Sequence, residues 1–358
     1  MNYTKDIDGT IKDNSGNIVF FSFERFVNDI CEGDNCFLCG ASPNDTEFSE
    51  EHVIPKWVLR KCDLFKQAIT LPNGVPLRYD KYTVPCCKEC NSFLGSTIEE
   101  PIRKAMEGGL DSVNEFVSNG GFWNIFVWLS LIFLKTHLKD TYLRKHLDHR
   151  KGTETIARGY DWGLMHHVHC IARAVKTGAN LDPNCFGTTL VLPAKESDNY
   201  QNFDYRDTYS ANTVLLRLGE VAFLALLDDS CASSHFFSNH LKKINAPLSP
   251  IQLREVLSHL TLLNTKLKYR PSYFTAVDSN NNKVSIFANL PNSMELESHT
   301  KEELGEILYA NVSEFIEKID TPDESFTADN IRKGMYNFLF NEDGEFIKNS
   351  LEPVEVHW

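Results

Sequence analysis

The spacing of apolar residues changes several times along the first hundred positions. "GTIKDNSGNIVFFSF" carries β-rich residues on either side of Asn14-Ser15-Gly16, which predicts a hairpin. "EHVIPKW" (51–57) reads as a short strand stopped by Pro55, and "KWVLRKCDLF" places Trp57, Val58, Cys62 and Phe65 near helical spacing. "LRYDKYTV" (77–84) reads as one strand in a turn-rich stretch. "CCKECNSFLGSTIEEPIRKAMEGG" (86–109) opens in a turn and continues as a helix. That helix is expected to kink or restart at Pro101 and to stop at Gly108-Gly109, where we place a domain boundary.

The remaining residues mix both periods. Residues 122–147 predict one helix, and "GTTLVLPA" and "TVLLRLGEVAFLALL" predict strands, the second turning at Gly219-Glu220. "SPIQLREVLSHLTLL" predicts a helix with Ser249 as N-cap before Pro250. "FTAVDSNNNKVSIFANL" predicts a hairpin across Asn280-Asn281-Asn282, and "KEELGEILYANVSEFIEKI" an amphipathic helix. The expected class is therefore α+β, with a small domain at 1–109 and a larger α+β domain at 110–358. The length of 358 residues suits two domains.

The apolar run 121–134 is shorter than the roughly 20 residues a membrane span requires, and it leads into a basic segment. A buried helix and no membrane association are expected. The polar, acidic start lacks a basic segment followed by an apolar core, so the expectation is a cytoplasmic chain without a secretory signal.

Charge alters the picture in one respect. The net charge of −13 opposes binding to phosphate backbones. It is unevenly spread: residues 1–51 hold 3 Lys/Arg against 11 Asp/Glu, whereas 52–104 hold 9 against 5 and 135–151 hold 6 against 2. Two basic stretches thus sit inside an acidic total. The second reads most simply as a solvated face.

Four of the ten cysteines form two C-x2-C pairs, Cys36/Cys39 and Cys87/Cys90. Two such turns supply four thiolates to one tetrahedral zinc, and a closed four-sulfur site has no open position for chemistry. The zinc is expected to be structural. Cys86 leaves a second register open, pairing Cys86 with Cys90, although Cys87 keeps both turns alike. In "LMHHVHC" (164–170), His167 and His169 would share one face of a strand, yet no third ligand accompanies them. Packed histidines are the expectation there.

Between the cysteine pairs lies Glu51-His52, and Asn91 directly follows the last cysteine. A neutral histidine is a natural general base near pH 7, and carboxylate and amide oxygens suit Mg²⁺. Glu99 lies eight residues beyond Asn91, two helical turns on the same face, as a ligand, a helper or a surface acid.

The order C-x2-C, then (Asp/Glu)-His-x-x-Pro, then C-x2-C-Asn resembles the HNH endonuclease family over about residues 36–99. The resemblance implies a ββα-metal fold, a hairpin and a helix around a catalytic divalent cation. It implies His52 as general base, Glu51 and Asn91 as ligands of Mg²⁺ or Mn²⁺, and Cys36, Cys39, Cys87 and Cys90 as ligands of a structural zinc. The implied reaction is hydrolysis of phosphodiester bonds, most simply in double-stranded DNA, leaving a 5′-phosphate and a 3′-hydroxyl. Lys56, Arg60, Lys61 and Lys88 flank the motif and suit neighbouring phosphates.

One part of the pattern is missing. The family's middle asparagine has Tyr82 and Thr83 in its place; Asp80, Thr83 and Asn73 are the candidate substitutes. An RNase using the same site and a non-catalytic zinc module binding nucleic acid or protein are the rival readings. The larger C-terminal part would serve target choice, sensing or oligomerisation, an architecture that fits a regulated effector such as one of bacterial defence against foreign DNA.

Overall fold

A computed structural model describes residues 3–197, 201–278, 281, 283–316, 319, 321 and 323–348. The class is mixed α+β. The chain forms two compact units, one made of Met1–Glu107, Phe116–Cys185 and Ser272–Asn289, the other of Gly108–Glu115, Phe186–Pro271 and Leu290–Trp358. The first unit thus combines residues 1–107 with two later segments of the chain.

The first unit opens with a three-stranded antiparallel sheet, Thr4–Lys5, Ile11–Lys12 and Ile18–Phe20, so the expected hairpin is part of a small meander. Its Asn-Ser-Gly turn is set by Gly16 at φ +81° and by Asp13, which accepts from the Ser15 and Asn17 amides. The motif strand, Phe48–His52, ends as expected just before Pro55, and Lys56–Lys61 follows as a helix. It pairs antiparallel with Thr83–Cys87, His52 opposite Thr83 and Phe48 opposite Cys87.

The strand expected at 77–84 is not one strand. Pro76–Arg78 pairs with Ala68–Thr70, a single 3₁₀ turn covers Tyr79–Lys81, and Thr83–Cys87 starts afterwards. Tyr79 and Tyr82 are both buried, at spacing three. A strand would put them on opposite faces, whereas a turn buries both on one side.

The strand from Thr83 runs to Cys87 and the helix Lys88–Leu94 starts directly after it, so Cys90 lies in the first helical turn. The helix widens to a π turn over Gly95–Glu99 and resumes as Glu100–Glu107. The expected irregularity therefore lies one turn before Pro101. Proline offers no N–H to the carbonyl four residues back, that of Thr97, and the turn around that carbonyl opens.

Phe122–Asp140 is the core helix of this unit, with Ile125 to Leu134 buried on every face. The longer apolar segment Gly109–Asp140 has the length and hydropathy of a membrane span, with 67% of its apolar window buried inside the fold. The helix stops at Asp140, before the expected end at 147. The hydroxyl of Thr141 donates to the carbonyl of Leu138, and Leu143 to Lys145 instead exchange backbone bonds with Glu154 to Ile156. "LMHHVHC" belongs to a helix, Gly163–Thr177, not to a strand. Ser272–Asp278 and Lys283–Asn289 pair antiparallel, with Asn180–Leu181 parallel alongside; of the expected turn, Asn280 and Asn282 lie outside the described residues.

The second unit carries a four-stranded antiparallel sheet in the order Phe203–Thr208, Thr213–Leu218, Val221–Leu226, Thr189–Pro193. Gly219, at φ +66°, makes the expected turn. Leu215, Leu224, Leu253, Val256 and Leu257 join this sheet to the helix Pro250–Thr265. Ser249 caps that helix as expected, in a reciprocal capping box with Gln252. Lys301–Ile316 packs Leu308, Val312 and Phe315 into a second cluster.

Candidate metal centre and adjoining cavity

The first cysteine turn is shaped by its own backbone. The Cys36 amide donates to Ala41 O, the Gly40 amide donates to Cys36 O, and the Ala41 amide donates to Cys39 Sγ. Gly40 sits at φ +81°, and a Cβ there would meet the Phe21 ring at 2.5 Å, so only glycine fits. In the second turn Cys87 is the N-cap of the Lys88–Leu94 helix, its sulfur accepting from the Cys90 amide.

These turns bring Cys36, Cys39, Cys87 and Cys90 together with all four sulfurs within 4.8 Å of one another. Cys39 and Cys87 are 3.7 Å apart, the separation of two sulfurs on one tetrahedral zinc with bonds of about 2.3 Å. The cluster could hold a structural metal such as zinc. Cys86 Sγ lies 3.7 Å from Cys36 but outside the mutually close set, which favours the register with Cys87. Bonds from Cys39, Cys86 and Cys90 draw the Cys36 thiol far down, and Cys36 in turn pushes Cys86 and Cys90 up. Crowded thiols of this kind ionise together only around a cation. None of the ten cysteines is in a disulfide.

The histidines of 164–170 do not form a metal pair. His166 and His169 donate through Nε2 to the carbonyls of Phe21 and Phe37, at 2.9 and 2.8 Å. Arg173 donates to Leu38 O and Ile18 O and stacks over the Phe21 ring. At spacing i, i+3, i+7 these three side chains share one helix face; His169 and Arg173 grip the first cysteine turn, and His166 holds Phe21, whose ring lies against Gly40 of that turn. Arg173 also places a buried positive charge within reach of Cys36, Cys39 and Cys90, opposing the charge of a four-thiolate site. His167 lies on another face, stacked on Tyr273 at 3.5 Å.

Next to the cluster, Glu51, His52, Pro55, Lys56, Asn91, Gly95 and Glu99 line a cavity of about 190 Å³. Glu51 and His52 reach the same cavity because the strand ends at His52 and the chain turns toward Pro55. Asn91, Gly95 and Glu99, each four residues apart, present one helix face to it. Asn91 Nδ2 donates to Ser49 Oγ at 3.0 Å and to Glu50 O at 3.4 Å, latching the helix onto the strand and leaving Oδ1 for a ligand.

Burial lowers the His52 imidazole below its ordinary range, and Lys56 adds to the shift. Burial pushes the Glu99 carboxyl up to about 7; Lys135 opposes that shift and Glu51 reinforces it.

Lys135 is the residue that sequence reasoning missed. It projects from the core helix, 2% exposed, and its Nζ lies 2.7 Å from both Glu51 Oε1 and His52 O. Of the candidates for the missing asparagine, Asn73 is engaged elsewhere, bonded to Arg144 O and Val75 N. Thr83 faces His52 across the strand pair and donates to Glu50. Asp80 pairs with Arg78 and acts electrostatically on His52. The loop behind His52 is also held by the Val53 amide donating to Tyr82 O at 2.9 Å.

Comparison with protein-family models, curated proteins and solved structures found no match for this chain.

Proposed function

We propose that the chain is a metal-dependent endonuclease of the HNH type, hydrolysing phosphodiester bonds in DNA with His52 as general base. The observation that carries this reading is the convergence of His52, Glu51 and Asn91 on one cavity beside a four-cysteine cluster. The antiparallel pair Phe48–His52 and Thr83–Cys87, running straight into the Lys88–Leu94 helix, supports a ββα-metal arrangement.

The cavity's donors fit a hard cation: a carboxylate oxygen of Glu51, the amide oxygen of Asn91 and a carboxylate oxygen of Glu99. A bound Mg²⁺ or Mn²⁺ would supply positive charge against the scissile phosphate and the leaving oxygen. His52 accepts the proton of the attacking water, and its burial favours the neutral ring that a base requires. Its position is fixed through its backbone, by Lys135 on its carbonyl and by the pairing with Thr83. Lys56 offers a further positive charge to the phosphate. The four-cysteine cluster does no chemistry in this scheme; it holds the turn before Asn91. The second unit would serve target choice, sensing or self-association, as in a regulated defence effector.

The test offers plasmid DNA, single-stranded DNA and tRNA in parallel with Mg²⁺ or Mn²⁺. Cleavage of the DNAs supports the proposal, and cleavage of tRNA alone converts the site to an RNase. Cleavage of none favours a zinc-held binding module. That second reading has one observation in its favour, since Glu51 already has an ammonium partner.

A further inference from the structure

Lys135 comes from outside the motif, yet it is the group most intimately joined to it. Its ammonium is buried, and it bonds Glu51 Oε1 and the backbone of His52. A lysine is hidden this completely only when paired, and breaking such a pair leaves an uncompensated charge. Glu51 lines the cavity, and the Lys135 ammonium stands behind it, bonded to Glu51 Oε1.

The charges around the cavity can be counted. Glu51 and Glu99 bring at most two negative charges, Lys135 and Lys56 bring two ammonium groups, and His52 and Asn91 are neutral ligands or bases. A divalent cation held by oxygen donors ordinarily relies on excess negative charge, and here the lysines cancel it. A phosphodiester entering the cavity would restore one negative charge beside the cation.

We propose that Lys135 is a built-in counter-charge that keeps the divalent-cation site weak until substrate phosphate arrives, so that cation and nucleic acid bind together. This rests on the nuclease reading above and adds its order of assembly. Lys135 touches no reacting atom in this scheme. It is a positioning residue, holding Glu51 Oε1 and thereby leaving Oε2 as the oxygen for the cation. Linkage requires reciprocity: whatever factor DNA adds to cation affinity, the cation adds to DNA affinity.

The experiment measures Mn²⁺ binding by electron paramagnetic resonance, on the full chain with its zinc retained and on a His52→Ala background that keeps DNA intact. In that background, affinity for Mn²⁺ is expected to rise roughly tenfold when a duplex oligonucleotide is added. Lys135→Met is expected to bind Mn²⁺ alone roughly tenfold more tightly and to lose most of the enhancement by DNA. Lys135→Arg keeps the charge and is expected to retain it. Equal Mn²⁺ affinity with and without DNA in the His52→Ala protein overturns the inference even if Lys135→Met does not fold. So does Lys135→Met with unchanged or weaker Mn²⁺ binding. If Mn²⁺-dependent cleavage by the wild type accompanies either result, only the inference falls; if no Mn²⁺ binds and none is needed, the nuclease reading falls with it.

Discussion

The His169 ring donates through Nε2 to the carbonyl of Phe37, the residue between Cys36 of the four-cysteine cluster and Leu38, at 2.8 Å. A helix 132 positions away in sequence thus holds the cysteine turn in shape. Replacing His169 with Leu leaves that carbonyl buried and unpaired, at a cost of about 1–3 kcal/mol. The expected result is a lower midpoint in denaturant and faster loss of zinc to a chromophoric chelator. Unchanged zinc release would show that the turn holds its shape without the helix.

The register of the cluster yields a second prediction. Cys86 and Cys87 are adjacent, and both approach the first cysteine turn, but only Cys87 belongs to the mutually close set of four. Cys87→Ser is expected to lose the metal, and Cys86→Ser to keep one zinc per chain by elemental analysis. The reverse outcome would move the site to the C-x3-C register.

Gly40 gives a third. Alanine there combines a positive φ with a clash against Phe21. Gly40→Ala is expected to destabilise by about 1–3 kcal/mol, readable as a drop in Tm. Gly95→Ala, whose Cβ would meet open space, serves as the comparison and is expected to shift Tm little.

Burial lowers the His167 imidazole to about 3. Because the folded value lies below the unfolded one, its contribution to stability is intact above about pH 6.5 and shrinks as pH falls toward 3. The slope is about 1.4 kcal/mol per pH unit for this one group. His167→Phe preserves a ring against Tyr273 without a titrating proton, so its stability is expected to fall less steeply than the wild type's between pH 6 and 4. Parallel slopes in chemical denaturation would show that this imidazole is not held below its ordinary range.

What could be read beforehand followed from local spacing. The two C-x2-C turns, Glu51-His52 and Asn91 each announce themselves within a few residues, and the structure brings all of them together. The Ser249 cap and the Gly219 turn are equally local. Lys135 was not legible because it stands 84 residues from Glu51, in a helix whose pattern says only that it is buried. Strand spacing in "LMHHVHC" hides the shared face of His166, His169 and Arg173; at helical spacing the three residues align. The misread strand at 77–84 has the same origin, since the burial of Tyr79 and Tyr82 reflects a turn and not a period of two.

In the proposed nuclease His52 performs the chemistry while the sulfur cluster only supports it. The most direct measurement is plasmid cleavage with Mn²⁺ by the wild type and by His52→Ala, with zinc content and Tm recorded on the same samples. Nicking and linearisation by the wild type are expected, with at least a hundredfold loss in His52→Ala and with one zinc per chain and Tm preserved. Full cleavage by His52→Ala, or no cleavage by a zinc-loaded wild type on any nucleic acid, would contradict it.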